Sequence, residues 1–378
     1  MMRRIPFAAF LVSAAVALPA QATSDPQVER ILARLDINQF KSNIEELSQW
    51  ENRVVDSDGN RAAIDWLEAK LESFGYEVTR HKFTPQPRRR RTGGNRGGRG
   101  GGRGGNRGAG GQRRAGGGQR GQRRGGQRGG GEPVVLENVW ATKIGSTNPD
   151  RMYIVSAHMD SVRRSPGAND DASGCSLVLE AARVFAAADV QTDVSVRFIL
   201  WNAEETGLNG AKAYVQDRGE LQGVEEPAGS GRYPEPRWLG VVQHDQILFD
   251  HGLPAEDEQS PRADIDIEYQ QRSDARVGSM QLAADLLVAN ALYAKDYPAE
   301  VTSDMSNTDS GPFQDFCPAI SVRENIRRLE MPNGAAPHWH QATDRYDTYS
   351  EKDFLFGFNT VQTTLGAIAT LAGLRFDN

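Results

Sequence analysis

Cysteine is nearly absent: Cys175 and Cys317 are the only two in 378 residues. A disulfide framework is therefore excluded as the source of stability, and the fold has to rest on an apolar core. The two could still pair in an oxidising compartment, or stay as buried free thiols. Apolar runs long enough to span a bilayer are also missing. Ile5 to Leu18 is too short, and no later segment approaches the ~20 residues a membrane helix needs. With a basic Met1–Arg4 before it and Ala20-Gln21-Ala22 after it, that run reads as a signal peptide over residues 1–22. The expectation is an exported protein, periplasmic or extracellular, with no membrane span.

Acids are missing from one stretch altogether. Between Arg88 and Gly131 there are fourteen arginines and no Asp or Glu. Subtracting those charges from the net −6 leaves −20 on the remainder, which disfavours nucleic acid as a partner of the folded part. The tract also has almost no apolar side chains to bury. Residues 87–131 therefore read as a disordered insertion within a single domain spanning 23–378. Arg-Gly repeats can bind nucleic acid or another polyanion through charge and stacking. A solvated insertion, or one touching the acidic body of its own chain, fits the same composition.

Without signal and tract, roughly 310 residues remain, enough for one large α/β domain. Asp25 to Trp50 and Asn60 to Phe74 carry apolar residues at helical spacing, with Gly75 as a C-terminal cap of the second. Tyr76 to Phe83 and Val134 to Lys143 read as extended. After the tract, strands at Met152–Ala157, Val194–Trp201, Leu239–Gln243 and Ala319–Val322 alternate with helices. The helices are at Ser173–Ala188, Leu208–Asp217, Gly278–Ala294 and Phe354–Leu374. This alternation predicts a three-layer α/β sandwich whose central sheet is mixed and mostly parallel. Sites in such folds form beyond the carboxyl ends of the strands.

Metal-binding side chains recur at those ends. His158 closes one strand, and Asp160 is placed to hold its second ring nitrogen. Asp170 and Asp171 open a helix, where acids could simply cap it, or one could bridge two cations. Glu204 and Glu205 follow another strand, a costly pair unless cations neutralise them. Asp245 ends a further apolar strand. By alternation its neighbour His244 points the other way and reads as structural. His338 and His340 lie in a late loop, and either could complete the set. Singly, each has an ordinary structural explanation; together they form a nitrogen and oxygen set suited to zinc.

These segments, His158-Met159-Asp160, Asp170-Asp171-Ala172-Ser173-Gly174 and Ala203-Glu204-Glu205-Thr206-Gly207-Leu208-Asn209-Gly210, closely resemble metallopeptidase family 28, the co-catalytic di-zinc aminopeptidases. The resemblance implies two Zn2+ per chain. His158 and Asp245 would be terminal ligands of one zinc, and Glu205 and His340 of the other. Asp170 would be the bridge, Glu204 the general base and Asp160 the partner of His158. His340 is preferred to His338 because His340 and Asp344 reproduce the family's H-x-x-x-D spacing. The chain departs from the family at Asp245-Gln246, where Asp-Met is usual, and at Thr308-Asp309-Ser310, where Ser-Asp-His is frequent. The implied activity is removal of N-terminal residues from peptide substrates. Rivals are a single-zinc glutaminyl cyclase, a carboxypeptidase with Arg323, Arg327 or Arg328 in a basic pocket, and a non-enzymatic polyanion binder acting through the tract. Trp201, Trp238, Phe249 and Trp339 are aromatic candidates for a substrate pocket, though core or rim positions suit them too.

Overall fold

The computed structural model describes residues 23–85, 134–250, 265–303, 305, 307–324 and 336–377. The signal over 1–22 and the tract over 87–131 lie outside them. The first helical stretch is two helices, α1 (Pro26–Leu32) and α2 (Ile37–Leu47). The expected single helix breaks at Asp36, whose carboxylate accepts the Asn38 amide as an N-cap. A short acidic side chain at such a position competes with the helix interior for the backbone. Next come α3 (Asp58–Ser73), β1 (Val78–Phe83), β2 (Leu136–Lys143) and β3 (Asn148–His158). They are followed by α4 (Gly174–Phe185), β4 (Val190–Gln191), β5 (Val194–Trp201) and α5 (Asn209–Arg218). The rest is β6 (Arg237–His244), β7 (Ile265–Tyr269), α6 (Arg276–Tyr293), β8 (Ala299–Thr302), β9 (Ala319–Glu324), α7 (Glu351–Leu371) and β10 (Arg375–Phe376).

Eight strands form one sheet in the order β1-β2-β5-β3-β6-β9-β7-β8. Pairing is parallel for β5 with β3, β3 with β6, β6 with β9 and β7 with β8. It is antiparallel for β1 with β2, β2 with β5 and β7 with β9. Side-chain alternation divides the core between the two faces. Val196, Phe198 and Leu200 of β5 join one cluster with α4 and α7, while Ile199 and Trp201 join another with Tyr214 of α5. All 8 residues of β5 are buried, as expected for a strand covered on both faces. The mixed sheet between helical layers is therefore as the alternation implied. Strands β7 and β8 were not foreseen, because Asp266, Glu268 and Glu300 dilute their apolar signal.

Cys175 and Cys317 are free and belong to different core clusters, so the pairing alternative fails. No described helix is long and apolar enough to cross a membrane. At the edge, Phe83 lies opposite Leu136 in the β1–β2 ladder, and both pack on Ala203 just after β5. The four central parallel strands run the same way. Their carboxyl ends deliver His158, Glu204, Asp245 and Glu324 to one rim.

Candidate metal centre

The rim is fixed by main-chain amides that donate to buried carboxylates. The His158 amide donates to Asp171 Oδ2 at 3.1 Å. Asp171 also accepts from the Gly174 amide at 2.9 Å and the Gln246 amide at 3.3 Å. The second aspartate of the pair thus ties three segments together and leaves Asp170 for the site. Gly174 is required here, because a Cβ would sit 2.5 Å from Asp171 Oδ1. Gly210 is required likewise: its Cβ would lie 2.3 Å from the Asn202 carbonyl.

Asp160 does not act quite as its spacing suggested. Its main-chain carbonyl is 3.1 Å from His158 Nδ1, nearer than its carboxylate at 3.7 Å. The carboxylate instead accepts the amides of Glu204 at 3.0 Å and Glu205 at 3.2 Å. It therefore fastens the end of β5 to the end of β3. Ala203, Gln246 and His340 all have left-handed backbone, with φ of 63°, 63° and 58°. Each stands at or next to a predicted site residue, where the chain must turn sharply to aim a side chain.

All five predicted ligand residues converge. His158 Nε2 is 3.2 Å from Asp170 Oδ1 and 3.8 Å from Asp245 Oδ1. His340 Nε2 is 3.3 Å from Asp170 Oδ2 and 3.2 Å from Glu205 Oε2. One ligand atom from each of His158, Asp170 and Asp245 falls within 4.8 Å of the others, and so does one from each of Asp170, Glu205 and His340. Asp170 belongs to both triads and faces them with different oxygens. Two cations sharing a carboxylate need this arrangement, and the nitrogen and oxygen donors suit zinc.

The electrostatics also favour cations. Burial pushes the carboxyls of Glu204, Asp171 and Asp309 well above the usual range, and lifts Glu205 to about 7. Burial opposes charge on His340 too, but Asp170 and Glu205 outweigh it and carry the imidazole to about 10. Burial would raise Asp170, yet its hydrogen bonds with His158 and His340 hold it below its ordinary value. Glu205 Oε1 and both Asp309 oxygens are buried without a hydrogen-bond partner. A site this rich in acids is poorly balanced by protons alone.

Several supporting residues gave no sequence signal. Arg53 is fully buried. Its guanidinium donates to the carbonyls of Met159 at 2.7 Å, Leu47 and Gly167 at 3.0 Å each, and Pro166. It clamps the loops that follow His158 and precede Asp170. Asn60 donates to the Arg53 carbonyl at 3.1 Å and exchanges amide bonds with Asn202, extending the clamp toward Glu204. Asp344, known only from its spacing to His340, accepts the amides of Asn169 at 2.7 Å and Asp170 at 3.1 Å. Burial pushes its carboxyl up to about 6.

Other candidates fall away from the chemistry. His244 is buried between the Ser156 carbonyl and Thr364 Oγ1, and burial lowers it to about 4; it is structural, as alternation indicated. His338 contacts Thr343, Phe249 and Tyr349 and joins neither triad. Trp201 and Trp238 are core residues. Phe249 is buried, while Trp339 is 37% exposed with its ring 4.1 Å from that of His340. Arg327 and Arg328 lie outside the described residues, and Arg323 is spent on Asp245 at 2.6 Å.

A sequence model described as Peptidase family M28 matches residues 138–356, more than half of the chain and all five candidate ligands. The chain belongs to peptidase family M28. Among curated relatives, it is 51% identical over 75 residues to Aminopeptidase YwaD of Bacillus subtilis (strain 168), covering 20% of this chain and 16% of that one. It is 41% identical over 92 residues to a probable zinc metalloprotease of Pyricularia oryzae, covering 22% and 18%. These matches span less than a fifth of either relative's length. Among solved structures, the aminopeptidase from Aneurinibacillus sp. strain AM-1 aligns with a TM-score of 0.60 at 18% identity, over 93% of this chain and 97% of that one. A Porphyromonas gingivalis glutaminyl cyclase aligns with a TM-score of 0.58 at 14% identity, over 89% and 99%. The fold is thus shared by proteins with differently named activities, and function has to be argued from the site.

Proposed function

We propose that this M28 chain is an exported di-zinc exopeptidase that removes N-terminal residues from peptides. The observation that carries the reading is the membership of Asp170 in both ligand triads. His158 and Asp245 would complete one zinc site, and Glu205 and His340 the other. When bound, zinc supplies Lewis acidity, lowering the pKa of water and polarising a carbonyl. The remaining work belongs to the chain. Glu204, 8% exposed and with its proton affinity raised by burial, takes a proton from the attacking water and hands it to the leaving amine. Asp160 holds the Glu204 and Glu205 amides, so that the two carboxylates keep separate tasks. Acids left over at the rim suit the free α-ammonium group of a peptide.

The complete second triad favours this reading over a single-zinc cyclase. The burial of Arg323 against Asp245 leaves that residue unable to bind a substrate carboxylate, which weakens the carboxypeptidase alternative. A panel of aminoacyl-nitroanilides and N-blocked peptides, assayed with and without chelator, tests the proposal. Free N-termini should be cleaved only with metal present; equal cleavage of blocked peptides would remove the aminopeptidase assignment. Glu204→Gln should keep its zinc and lose about 10²–10⁴-fold in kcat. Export is tested separately, by N-terminal sequencing of protein recovered outside the cytoplasm.

A further inference from the structure

The acid-rich rim also carries exposed positive charge. Between His158 and Asp170 the chain makes one loop, and its tip is Arg163-Arg164. The tip is a tight turn, with the Ser165 amide donating to the Val162 carbonyl at 3.1 Å. Its neck is fixed from inside. Ser161 and Ser165 are buried, and Ser161 Oγ donates to the Ser165 carbonyl at 2.9 Å while accepting the Arg53 amide at 2.9 Å. The Arg53 side chain donates to the Met159 and Gly167 carbonyls on either side of the neck. Ser165 Oγ donates to Asp344 Oδ2 at 3.4 Å, and Asp344 is the carboxylate that holds the Asn169 and Asp170 amides. The residue that braces Asp170 therefore braces the base of this turn as well.

Arg163 and Arg164 take no part in that bracing. Both are exposed, and among the described residues neither guanidinium has an ion pair or hydrogen bond. Arg61 and Arg375, also at the surface, pair with Asp58 and Asp193. Two adjacent like charges do nothing for a turn, which serine, asparagine or glycine would form more readily. In the reading proposed above, the free N-terminus of a peptide enters among the acids of the centre, so the residues after the scissile bond leave across the rim. We propose that Arg163 and Arg164 receive a carboxylate from that leaving part, which makes the enzyme selective for peptides with an acid close behind the N-terminal residue. The inference rests on the aminopeptidase reading. The carboxylate has two sources, an acidic side chain or the C-terminus of a very short peptide. Both offer planar oxygens that a guanidinium takes with two parallel hydrogen bonds. Exposed pairs of this kind are individually weak and screened by salt, so the selectivity is modest and depends on ionic strength.

Four peptides test this on the zinc-loaded full chain. Each begins with the residue favoured in the nitroanilide panel, followed by Glu-Ala, Gln-Ala or Lys-Ala as C-terminal amides, or by Gln-Ala as the free acid. Against the Gln amide, kcat/KM should be about three- to tenfold higher for the Glu amide or for the free acid, with the difference mainly in KM. The first gain assigns the acidic side chain and the second the peptide C-terminus. Either gain should shrink as salt is raised from about 0.05 to about 0.5 M. Each ratio is read within one protein, so a general change in activity cancels. With Arg163→Gln and Arg164→Gln together the ratio should fall to about one. With Arg163→Glu and Arg164→Glu the Lys amide should become the better substrate. Calorimetric binding of the uncleaved Glu and Gln peptides to Glu204→Gln should show the same ordering in Kd. Equal kcat/KM for all four peptides in the wild type, or ratios that survive in the double Gln variant, would overturn the inference while leaving the aminopeptidase reading in place. Failure to cleave any free N-terminus would remove both.

Discussion

The acids at the carboxyl ends of β3, β5 and β6 and those on β7 and β8 occupy the same sheet, but among the described residues it is the first group that forms ion pairs with histidine. Asp170 and Asp245 are each 4% exposed, and Asp266 and Glu268 are 4% and 8% exposed. Among the described residues the first group yields two ligand triads and the second yields none. In the second group, burial and then the charge of Glu268 push the Asp266 carboxyl up to about 8, so a bound proton settles the account. Crowded buried acids need a positive partner in either place. Where imidazoles complete a compact donor set, that partner can be a metal; where they are missing, it is hydrogen.

Chelation should break the comparison most severely. It should abolish turnover, and zinc added back at about 100 times its Kd should raise unfolding stability by about 2.7 kcal/mol, read as a rise in Tm. The same gain should appear in Asp266→Asn, since the second cluster has no part in metal binding; loss of the gain there would mean that the clusters are coupled. Asp344→Ala comes next. It removes the acceptor for the Asn169 and Asp170 amides and should weaken zinc binding by about 10–100-fold with the sheet intact. Gly174→Ala forces a methyl group onto the Asp171 carboxylate and should cost about 1–3 kcal/mol in denaturant unfolding. An unchanged midpoint would show that Asp171 does not hold the rim.

The smallest effect concerns pH. The folded pKa of Asp266, about 8, lies above its ordinary value of 3.8, so the folded state binds the extra proton between those limits. Its stabilising contribution is complete at low pH and is lost as pH rises toward 8. Asp266→Asn should flatten that slope in Tm measured from pH 5 to pH 8. An unaltered slope would place the titration elsewhere.

The centre was largely legible because its residues follow strands, where backbone direction and alternation already fix placement. His158, Glu204, Glu205 and Asp245 stand at or just after three neighbouring parallel strands, and Asp170 follows β3 after the loop over 159–167. His340 was separable from His338 only through its spacing to Asp344, and the reason for that spacing appears in three dimensions: Asp344 orients Asp170. Arg53, Asn60 and Asn202 were illegible, and Arg323 was named only for a basic pocket and not as the partner of Asp245. Their partners lie far off in sequence, and a lone arginine or asparagine has no local pattern. In the fold, a cap at Asp36 and acids within β7 and β8 defeated apolar periodicity, which registers burial of hydrocarbon and not burial of charge.

The ladder that sets Phe83 against Leu136 reaches beyond the chemistry. Whatever joins those residues begins and ends at a strand pair that is already zipped. For such a connection the closing entropy rises by only about 0.6 kcal/mol with each doubling of length. Because the two strands are paired at that point, sequence between them can be lengthened, trimmed or rewritten over generations at little thermodynamic cost to the body that carries it.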